Sequence, residues 1–423
     1  MKIINILNNS VDMKENLLER EMLNSELNSL NSELTEELEV LLSFWSTKTI
    51  DSLNEGFIGE IDHFGNKNNF SSKGAVLNTR ILWTFSCAFR VTKNPAYKVI
   101  AEKQFKYIIA HFWDTMHGGL FWELDNTGNP INTRKQAYAQ GFGIYAFSEF
   151  YRATGDNESL KHAKELYHIL ENKFYDKNQI GYIEALKEDW SVIEDMRLSD
   201  KDLNAPKSMN THLHILEAYT NLFRVWEDET LKQNIVNLIS VFQDKIIDKK
   251  TGHFCLFFDM DWTKRSTAIS FGHDIEGAWL LHESAQVIDD EVLIKDVQVS
   301  ALSLVDLTLL KGLDKDGSLF YELENNHYDK DKHWWSQAEA MVGLMDAYQI
   351  NSNPIYLKHL FNIWKFIKIR IIDKENGEWH WRVDENGATY TDDVKVGFWK
   401  CPYHNGRALM ELIERIEKIN YVG

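Results

Sequence analysis

Hydrophobic and polar positions divide the chain into two kinds of segment. Short stretches rich in aromatic and β-branched residues surround a glycine, and longer stretches with apolar residues at helical spacing lie between them. Because glycine allows a positive φ and aromatic residues suit extended backbone, each short stretch predicts a tight turn followed by a β-ribbon. Six such ribbons, 60 to 71 residues apart, are predicted at Gly56, Gly118, Gly181, Gly252, Gly317 and Gly377.

The interval between ribbons has room for two helices of ordinary length. The first helix after each ribbon begins with polar or aromatic residues, near Val76, Ala137, Asn210, Gly272, Trp335 and Tyr403. Six helix pairs most simply close into an all-α (α/α)6 barrel of inner and outer helices, because closure buries both apolar faces of the inner ring. The alternative is an open solenoid with atypical, polar terminal repeats. The last repeat is as aromatic as the others, which favours the barrel.

The domain organisation follows from the absence of a linker rich in Pro, Gly or Ser. We predict a single catalytic barrel domain over residues 38–423. Residues 1–37 carry leucine at helical spacing with Glu and Asn elsewhere, and this pattern predicts a helical N-terminal extension. A frayed surface helix and a partner-binding role are equally compatible with its first thirty residues.

Composition indicates which class of ligand the protein binds and in which cellular compartment it works. With 44% hydrophobic residues in 423, the chain can bury a sizeable core. Its formal net charge of -18 argues against binding to nucleic acid or to an anionic membrane surface and favours a small-molecule ligand. The chain has three cysteines without CxxC spacing, and neither a signal-peptide-like run nor a membrane-spanning apolar stretch is found, so we expect a cytoplasmic protein.

The candidate chemistry lies at the entrances of the six inner helices. In a barrel these helices run parallel, so their N-terminal ends meet at one mouth. Residues three or four apart share a helix face there. The candidates at the mouth are Asn78, Arg80, Tyr138, Gln140, Asn210, His214, His273, Glu276, Trp335, Glu339, His404 and Arg407.

Taken singly, each of these residues also has a structural interpretation. Arg80 alone is more typical of a surface arginine, Trp279 is slightly more typical of the core, and His212 is expected to be structural. Arg407 is expected to be an ion-pair partner. The coincidence of histidines, carboxylates, an arginine and tryptophans on helix entrances favours a functional site, and helix N-termini there would stabilise a developing anion.

Three classes of function are compatible with this set. No GxGxxG, P-loop or HExxH motif occurs, which leaves metal-free acid–base chemistry. Two histidines facing an open-chain sugar could move a proton at the carbon next to the carbonyl, as in an epimerase. Glu276 and Glu339 could instead be the acid and base of a glycoside hydrolase. A barrel that only binds carbohydrate or protein is a third possibility, but it gives no reason for the titratable cluster.

Six motifs follow one another between about residues 38 and 417: LNTRILW, QGFGIYAFSEFY, MNTHLHILEAYTNL, GHDIEGAWLL, WWSQAEAMVG and WKCPYHNGRALMEL. In sequence and in order they resemble the N-acylglucosamine 2-epimerase superfamily, and most closely its branch that acts on cellobiose. The resemblance implies an (α/α)6 barrel that inverts C2 of the reducing-end glucose of β-1,4-linked disaccharides. Cellobiose would give glucosyl-mannose and lactose would give epilactose, through a cis-enediolate and without a metal or redox cofactor.

The resemblance also implies roles for individual residues. His273 and His404 would be the acid/base pair at C2, and His214 would act in ring opening or hold the ring oxygen. Arg80 would hold the C1 and C2 oxygens. The other implied sugar contacts are Tyr138, Asn210, Glu276, Trp279, Trp335, Glu339 and Trp399, with Trp335 and Trp399 as stacking walls, Asn210 as a support for His214, and the two glutamates binding hydroxyls and tuning the histidines.

Two departures and several alternatives accompany the resemblance. The first ribbon lacks the double glycine common in relatives, and the chain has about thirty extra N-terminal residues. Within the superfamily, an N-acylglucosamine 2-epimerase or an aldose–ketose isomerase acting on a monosaccharide is the alternative, because isomerisation differs only in whether the proton returns to C1 or C2. The expected partner is a small-molecule substrate, and the expected assembly is a monomer or a weak homodimer.

Overall fold

Inner and outer helices alternate along the whole chain. The computed structural model describes the backbone of residues 2–422 and the side chains of residues 21–419. In chain order its α-helices are α1 (Lys2–Thr47), α2 (Ala75–Thr92), α3 (Pro95–Tyr107), α4 (Ala137–Thr154), α5 (Asn157–Ile169), α6 (Met209–Phe223), α7 (Glu229–Val241), α8 (Phe271–Val287), α9 (Glu291–Gly312), α10 (Trp334–Asn351), α11 (Pro354–Phe366) and α12 (Tyr403–Val422).

The even-numbered helices form a closed inner ring. Each contacts the next, from α2 to α12, and α12 in turn contacts α2. The odd-numbered helices lie outside, with α1 against α12 and α3, α5, α7, α9 and α11 each against an inner helix. The predicted (α/α)6 barrel is therefore confirmed, and the open solenoid is not formed.

The N-terminal helix α1 supplies the outer helix that completes the ring. Buried Leu34, Leu38 and Leu41 belong to the hydrophobic core, and Glu33 accepts hydrogen bonds from Trp364 and Lys368 in the α11 region. The helix runs without interruption through residue 37. The division of the chain at residues 37 and 38 stays a prediction.

Short β-ribbons join the repeats around the mouth. The strands are β1 (Lys73–Gly74), β2 (Glu123–Leu124), β3 (Pro130–Asn132), β4 (Lys135–Gln136), β5 (Ala185–Leu186), β6 (Lys207–Ser208), β7 (Phe257–Phe258), β8 (Ile269–Ser270), β9 (Glu322–Glu324), β10 (His327–Asp329), β11 (Lys332–His333) and β12 (Arg382–Val383). The strand before an inner helix pairs antiparallel with the ribbon of the following repeat, in β1–β2, β4–β5, β6–β7, β8–β9 and β11–β12. A bridge between Ile61 and Val396 closes the circle.

The six glycines predicted from the sequence are the turn residues of these ribbons. Their φ angles lie between 66° and 90°, a region that residues with a Cβ rarely adopt. Four outer helices reach the turn through a π-helical last turn, at Ile108–Phe112, Leu170–Phe174, Phe242–Ile246 and Ile367–Ile371. This wide turn ends each helix and leads the backbone into the ribbon.

A pair formed by a buried lysine and an aspartate fixes five of the six turns to the inner ring, and we call these pairs the lysine–aspartate pins. The lysine precedes an inner helix and the aspartate starts the glycine turn, at N–O distances of 2.6 to 2.9 Å. Lys135, for example, bonds Asp114 Oδ2 and also donates to the carbonyl of Gly118. The pins are Lys73–Asp51, Lys135–Asp114, Lys207–Asp176, Lys332–Asp314 and Lys395–Asp373; every lysine is at most 1% exposed, and only Asp314 among the aspartates exceeds 7%, at 25%.

The fourth repeat departs from this pattern. Ile269 stands two residues before α8, where the first three repeats and the fifth have the lysine. Asp248 is paired instead with Lys264, whose side chain is 41% exposed. This surface pair is a natural control for the buried pins.

Among the described residues, no helix is long and apolar enough to cross a membrane. This finding agrees with the sequence, in which no apolar stretch reaches membrane-spanning length.

We predict that Lys135→Met lowers the free energy of unfolding by about 3 to 5 kcal/mol, because it leaves the Asp114 carboxylate buried without its cation. The matched substitution Lys264→Met should cost less than about 1 kcal/mol, since its ion pair is exposed to solvent. Urea denaturation followed by tryptophan fluorescence measures both values. Equal losses in the two variants would contradict the pin interpretation.

Candidate active site

The inner helices present side chains to the barrel axis in layers. The second and sixth residues of a helix lie on one face because they are four apart. The first layer, at or next to the second position, contains Tyr138, Asn210, His273, Trp335 and His404. The second layer, at or next to the sixth position, contains Arg80, Phe142, His214, Glu276, Glu339 and Arg407.

The side chain of the fourth residue of an inner helix faces away from the barrel axis and forms hydrogen bonds with the backbone of a ribbon. Gln140 exchanges two hydrogen bonds with the backbone of Leu120, and Gln337 does the same with Leu319. His212 accepts from the Tyr182 N–H through Nε2, at 2.9 Å. The expectation that His212 is structural is confirmed.

Two of the residues that were predicted to lie at the mouth therefore face away from it. Gln140 serves the ribbon, and Asn78 bonds the Gly74 carbonyl and Gln104. Both stand at the fourth helical position, about 200° around the helix from the second. The sequence analysis was wrong to place them at the mouth because it considered distance from the helix start and neglected the helix face.

His404 is held by a carboxylate. Its Nδ1 lies 2.6 Å from Glu339 Oε1, and the same oxygen accepts a hydrogen bond of 2.6 Å from Arg407 Nη2. Since that oxygen accepts from the arginine, His404 Nδ1 carries the hydrogen and donates it. The tautomer leaves Nε2 as the acceptor.

His273 lies across a tryptophan ring from His404. Its ring centroid is 4.6 Å from that of Trp335, which is itself 5.6 Å from the His404 ring. The Nδ1 of His273 is 2.8 Å from the hydroxyl of Ser270. The second nitrogen of each of these two histidines is bonded by no described residue.

His214 completes the set of histidines on a third helix. Its Nδ1 lies 2.9 Å from Glu217 Oε2, and its ring packs against Tyr138 and Phe142 at centroid distances of 5.0 and 4.8 Å. Glu217 was missed by the sequence analysis. The signal was present, because a glutamate three residues after an axis-facing histidine lies on the same helix face.

Arg407 lies at the centre of the buried charges. Its Nη2 donates to Glu276 Oε1 at 2.7 Å as well as to Glu339, and its Nη1 donates to Glu217. The side chains of all four residues are at most 2% exposed. The prediction of Arg407 as an ion-pair partner is confirmed, although it pairs with three carboxylates from three helices.

Trp279 lies one layer below the carboxylates. It is 1% exposed, its Nε1 donates to Glu339 Oε2 at 3.1 Å, and its ring lies 4.8 Å from the Arg407 guanidinium. Trp399 is half-buried at the mouth, with its ring 5.7 Å from that of Tyr138. Trp279 thus supports the charged cluster, and Trp399 forms part of the wall.

Arg80 is held at the axis by aromatic rings. Its Nη2 donates to the Tyr138 hydroxyl at 2.8 Å, and its guanidinium lies 4.2 and 4.5 Å from the centroids of Phe142 and Tyr403. The side chain is 2% exposed. These contacts fix the orientation of the cation.

Three predicted site residues have a buried polar atom without a hydrogen-bond partner among the described residues. They are the Arg80 Nε, the Asn210 Oδ1 and the Glu276 Oε2. Buried polar atoms are nearly always bonded, so such atoms on three of the inner helices, α2, α6 and α8, indicate where a polar ligand binds.

A cavity of about 760 Å³ lies at the entrances of α6 and α8. Of the predicted site residues, Asn210 and His273 line it, together with Tyr321 and Glu184. Sequence reasoning missed Glu184, whose pKa burial raises to about 8. Its carboxyl group binds Thr211 and the backbone of Ser208 and so fixes the entrance of α6.

The pKa values of Glu276 and Glu339 are both raised. Burial, followed by the proximity of Glu339, raises the pKa of Glu276 well above its usual value. Burial likewise raises the pKa of Glu339, against the opposing effect of Arg407. Because Glu339 Oε1 accepts two hydrogen bonds and Glu276 Oε2 accepts none from the described residues, we place the proton on Glu276.

These two glutamates and His404 also bring three potential metal-ligand atoms within 4.8 Å of one another. The donor set does not suit a metal ion, because Arg407 already binds both carboxylates and His404 Nδ1 is bonded to Glu339. The Arg407 guanidinium binds the carboxyl oxygens that a metal ion would need as ligands.

The three histidines are neutral at neutral pH. Burial lowers the pKa of His214 to about 4 and that of His273 to about 3. Burial, assisted by Arg80 and Arg407, places the pKa of His404 well below its usual value. Each ring can therefore accept a proton at pH 7, and the imidazolium that results is a strong acid.

Comparisons with known proteins show which family and which structures the chain resembles. The sequence profile of the N-acylglucosamine 2-epimerase (GlcNAc 2-epimerase) family matches residues 56–408. The chain is 45% identical to the cellobiose 2-epimerase of Bacteroides fragilis, over 91% of this chain and 98% of the relative, and 40% identical to that of Dictyoglomus turgidum, over 92% and 100%. The structure of the cellobiose 2-epimerase from Bacillus thermoamylovorans superposes with a TM-score of 0.88 at 39% identity, covering 92% of this chain and all of that one.

We predict that His214 and His273 remain uncharged in the folded protein from pH 7 down to about pH 5. Their lowered pKa values keep the neutral form at pH values where an unperturbed histidine, near 6.5, is protonated. NMR titration of 13C-labelled histidine measures this, with His214→Gln and His273→Gln to assign the signals and the urea-denatured protein as the control. Midpoints near pH 6.5 in the folded protein would contradict the prediction.

Proposed function

The chain belongs to the N-acylglucosamine 2-epimerase family, and from this premise we propose that it inverts C2 of the reducing-end glucose of β-1,4-linked disaccharides. Cellobiose would become glucosyl-mannose, and lactose would become epilactose. Its relatives at 45% and 40% identity are cellobiose 2-epimerases, so the protein is a carbohydrate epimerase that acts on a small-molecule sugar. The choice of disaccharide and the mechanism are the proposal.

The observation that carries the proposal is the pair of neutral histidines on either side of Trp335. His404 Nδ1 is bound to Glu339 and His273 Nδ1 to Ser270. This leaves one nitrogen of each ring to face substrate. Inversion at a carbon next to a carbonyl needs one group to remove a proton from one face and another to supply a proton to the opposite face.

The reaction begins with opening of the sugar ring. Asn210 and His214 lie four residues apart on α6 and so share the face directed at the axis. In the proposal, His214 moves a proton between the anomeric hydroxyl and the ring oxygen, and the free Oδ1 of Asn210 accepts a hydrogen bond from the sugar. The product of this step is the open-chain aldehyde.

Proton transfer at C2 follows. One histidine of the pair His273 and His404 removes the C2 proton, and the electron pair moves to the aldehyde oxygen to give a cis-enediolate. The other histidine enters this step as the imidazolium, with a proton taken from solvent, and donates that proton to the opposite face of C2 as the aldehyde re-forms. The first histidine ends protonated and the second neutral, so no proton or electron is gained or lost overall, and the ring then closes.

Arg80 stabilises the enediolate in this scheme. Its guanidinium is fixed before substrate arrives, by Tyr138 and by the rings of Phe142 and Tyr403. A preorganised cation stabilises the developing negative charge without reorientation. The buried Nε is bonded to none of the described residues and is available to a sugar oxygen.

The remaining contacts bind and orient the sugar. The protonated Oε2 of Glu276 would donate a hydrogen bond to a hydroxyl, and Glu339 would keep His404 in its tautomer. Trp335 and Trp399 would stack on sugar rings, with Tyr138 beside them. Trp279 would contribute indirectly, by holding Glu339 through its hydrogen bond and by packing against Arg407.

The size of the mouth supports a disaccharide. A cavity of about 760 Å³ extends outward from Asn210 and His273, which is in the range of small-molecule sites and exceeds what one hexose requires. We further propose a cytoplasmic location, which three buried free cysteines support. A monomer or weak homodimer, and a reaction without metal or redox cofactor, stay predictions.

Two alternative activities make different use of the same residues. A glycoside hydrolase needs two carboxyl groups on opposite sides of the scissile bond, whereas Glu276 and Glu339 are bonded to the same nitrogen of Arg407. Aldose–ketose isomerisation would proceed through the same enediolate, with the proton returned to C1.

We predict that incubation with cellobiose in D2O yields glucosyl-mannose that carries deuterium at C2, because the protonated histidine exchanges with solvent. NMR and mass spectrometry of the sugar identify the product and the position of the label. A fructose-containing product labelled at C1 would indicate the isomerase, and free glucose would indicate a hydrolase. Lactose, mannobiose, glucose and N-acetylmannosamine, tested in parallel, rank the substrates.

We predict that His273→Ala and His404→Ala each lower kcat by at least about 100-fold, because each removes a general acid or base. His282→Ala is the matched control. His282 is also buried on α8 and bonded to a carboxylate, Asp346, but it lies near the far end of that helix. Near-normal kcat in either of the first two variants removes that histidine from the mechanism.

A further inference from the structure

Glu217 stands in an environment that does not favour a carboxylate. It is the ninth residue of α6; the ninth residues of α2, α4, α8 and α10 are Trp83, Tyr145, Trp279 and Val342, and that of α12 is Glu411. Its side chain is 2% exposed. A buried charge is costly unless it is paired, so its partners indicate its purpose.

The first partner of Glu217 is the candidate ring-opening histidine. Glu217 Oε2 lies 2.9 Å from His214 Nδ1. Burial alone would raise the pKa of Glu217, but the Arg407 guanidinium and the hydrogen bonds from His214 and Tyr403 together outweigh it, and the pKa is lowered. The carboxylate is therefore ionised and accepts the Nδ1 hydrogen, which makes Nε2 of His214 the acceptor toward the axis.

The other oxygen of Glu217 is connected to His404 through Arg407 and Glu339. Oε1 accepts from the Tyr403 hydroxyl and from Arg407 Nη1. Arg407 Nη2 binds Glu339, and Glu339 holds His404 Nδ1. A continuous series of hydrogen bonds thus runs from His214 through Glu217, Arg407 and Glu339 to His404.

We propose that Glu217 is a positioning residue for the epimerisation, which fixes the tautomer and orientation of His214 and joins it through Arg407 to the support of His404. It touches neither the sugar nor the reacting carbon. Its effect is on ring opening, the step assigned to His214, and the proposal therefore rests on the proposed function.

The test compares Glu217→Gln with Glu149→Gln. Glu149 is a matched control because it is 1% exposed, is paired with Arg90 and Arg152, and occupies the thirteenth position of α4, below the site. Both variants exchange a buried, arginine-paired carboxylate for an amide. Thermal unfolding of both measures the structural cost of that exchange.

Steady-state kinetics on cellobiose and on C2-deuterated cellobiose separate positioning from stability. We expect Glu217→Gln to lower kcat at least about tenfold with KM changed less than about threefold, because a carboxylate that fixes a histidine tautomer acts on turnover. We also expect the C2 isotope effect on kcat to fall toward one, since ring opening becomes rate-limiting. Glu149→Gln should keep the kcat and the isotope effect of the unaltered enzyme.

Two outcomes would overturn the proposal. One is an isotope effect in Glu217→Gln equal to that of the unaltered enzyme, and the other is a loss of kcat no larger than in Glu149→Gln. If Glu217→Gln does not fold, Glu217→Asp keeps the charge for Arg407 and shortens the reach to His214, and the same two criteria apply to it.

The result is independent of the proposed substrate. If the unaltered enzyme does not epimerise cellobiose, the proposed function fails on that measurement alone. The comparison of the variants is then made with the aldose that the substrate ranking identifies and with its C2-deuterated form.

Discussion

The buried guanidinium of Arg407 is the interaction on which the site depends. Glutamate side chains from α6, α8 and α10 converge on it, and without this cation the buried carboxylates of Glu217 and Glu339 would have no compensating charge. By holding Glu217 and Glu339, it also holds the groups that fix His214 and His404. One side chain on the last helix thereby joins four of the six inner helices at the axis.

The repeated geometry of the inner helices separates stability from chemistry. The second and sixth positions face the axis, whereas the fourth position faces the ribbon and carries Gln140, His212 or Gln337, bonded to backbone. The lysine–aspartate pins bind the glycine turns of these ribbons to the chain that precedes the inner helices. The fourth-position residues and the pins hold the ribbons in place. The residues at the second and sixth positions are not needed for that, and they differ from one repeat to the next among histidine, arginine, glutamate and tryptophan.

Burial gives the three histidines their chemical character. In water each would be partly protonated near neutral pH, but the closed barrel favours the neutral form. Their Nδ1 atoms are bonded to Glu217, Ser270 and Glu339. The site thus offers neutral acceptors beside a fixed cation, Arg80, an arrangement suited to forming and discharging an enediolate.

The sequence by itself determined the barrel, the six turns and the helix entrances, because glycine conformation and helical periodicity are local properties. His273, His404, His214 and Arg80 were predicted as site residues from their position at those entrances and a family resemblance. Only the tertiary structure decided that Asn78 and Gln140 face away, that Arg407 binds three carboxylates, and that Glu217 supports His214. These facts depend on helix rotation and on contacts between residues as far apart as 190 positions, which local sequence does not record.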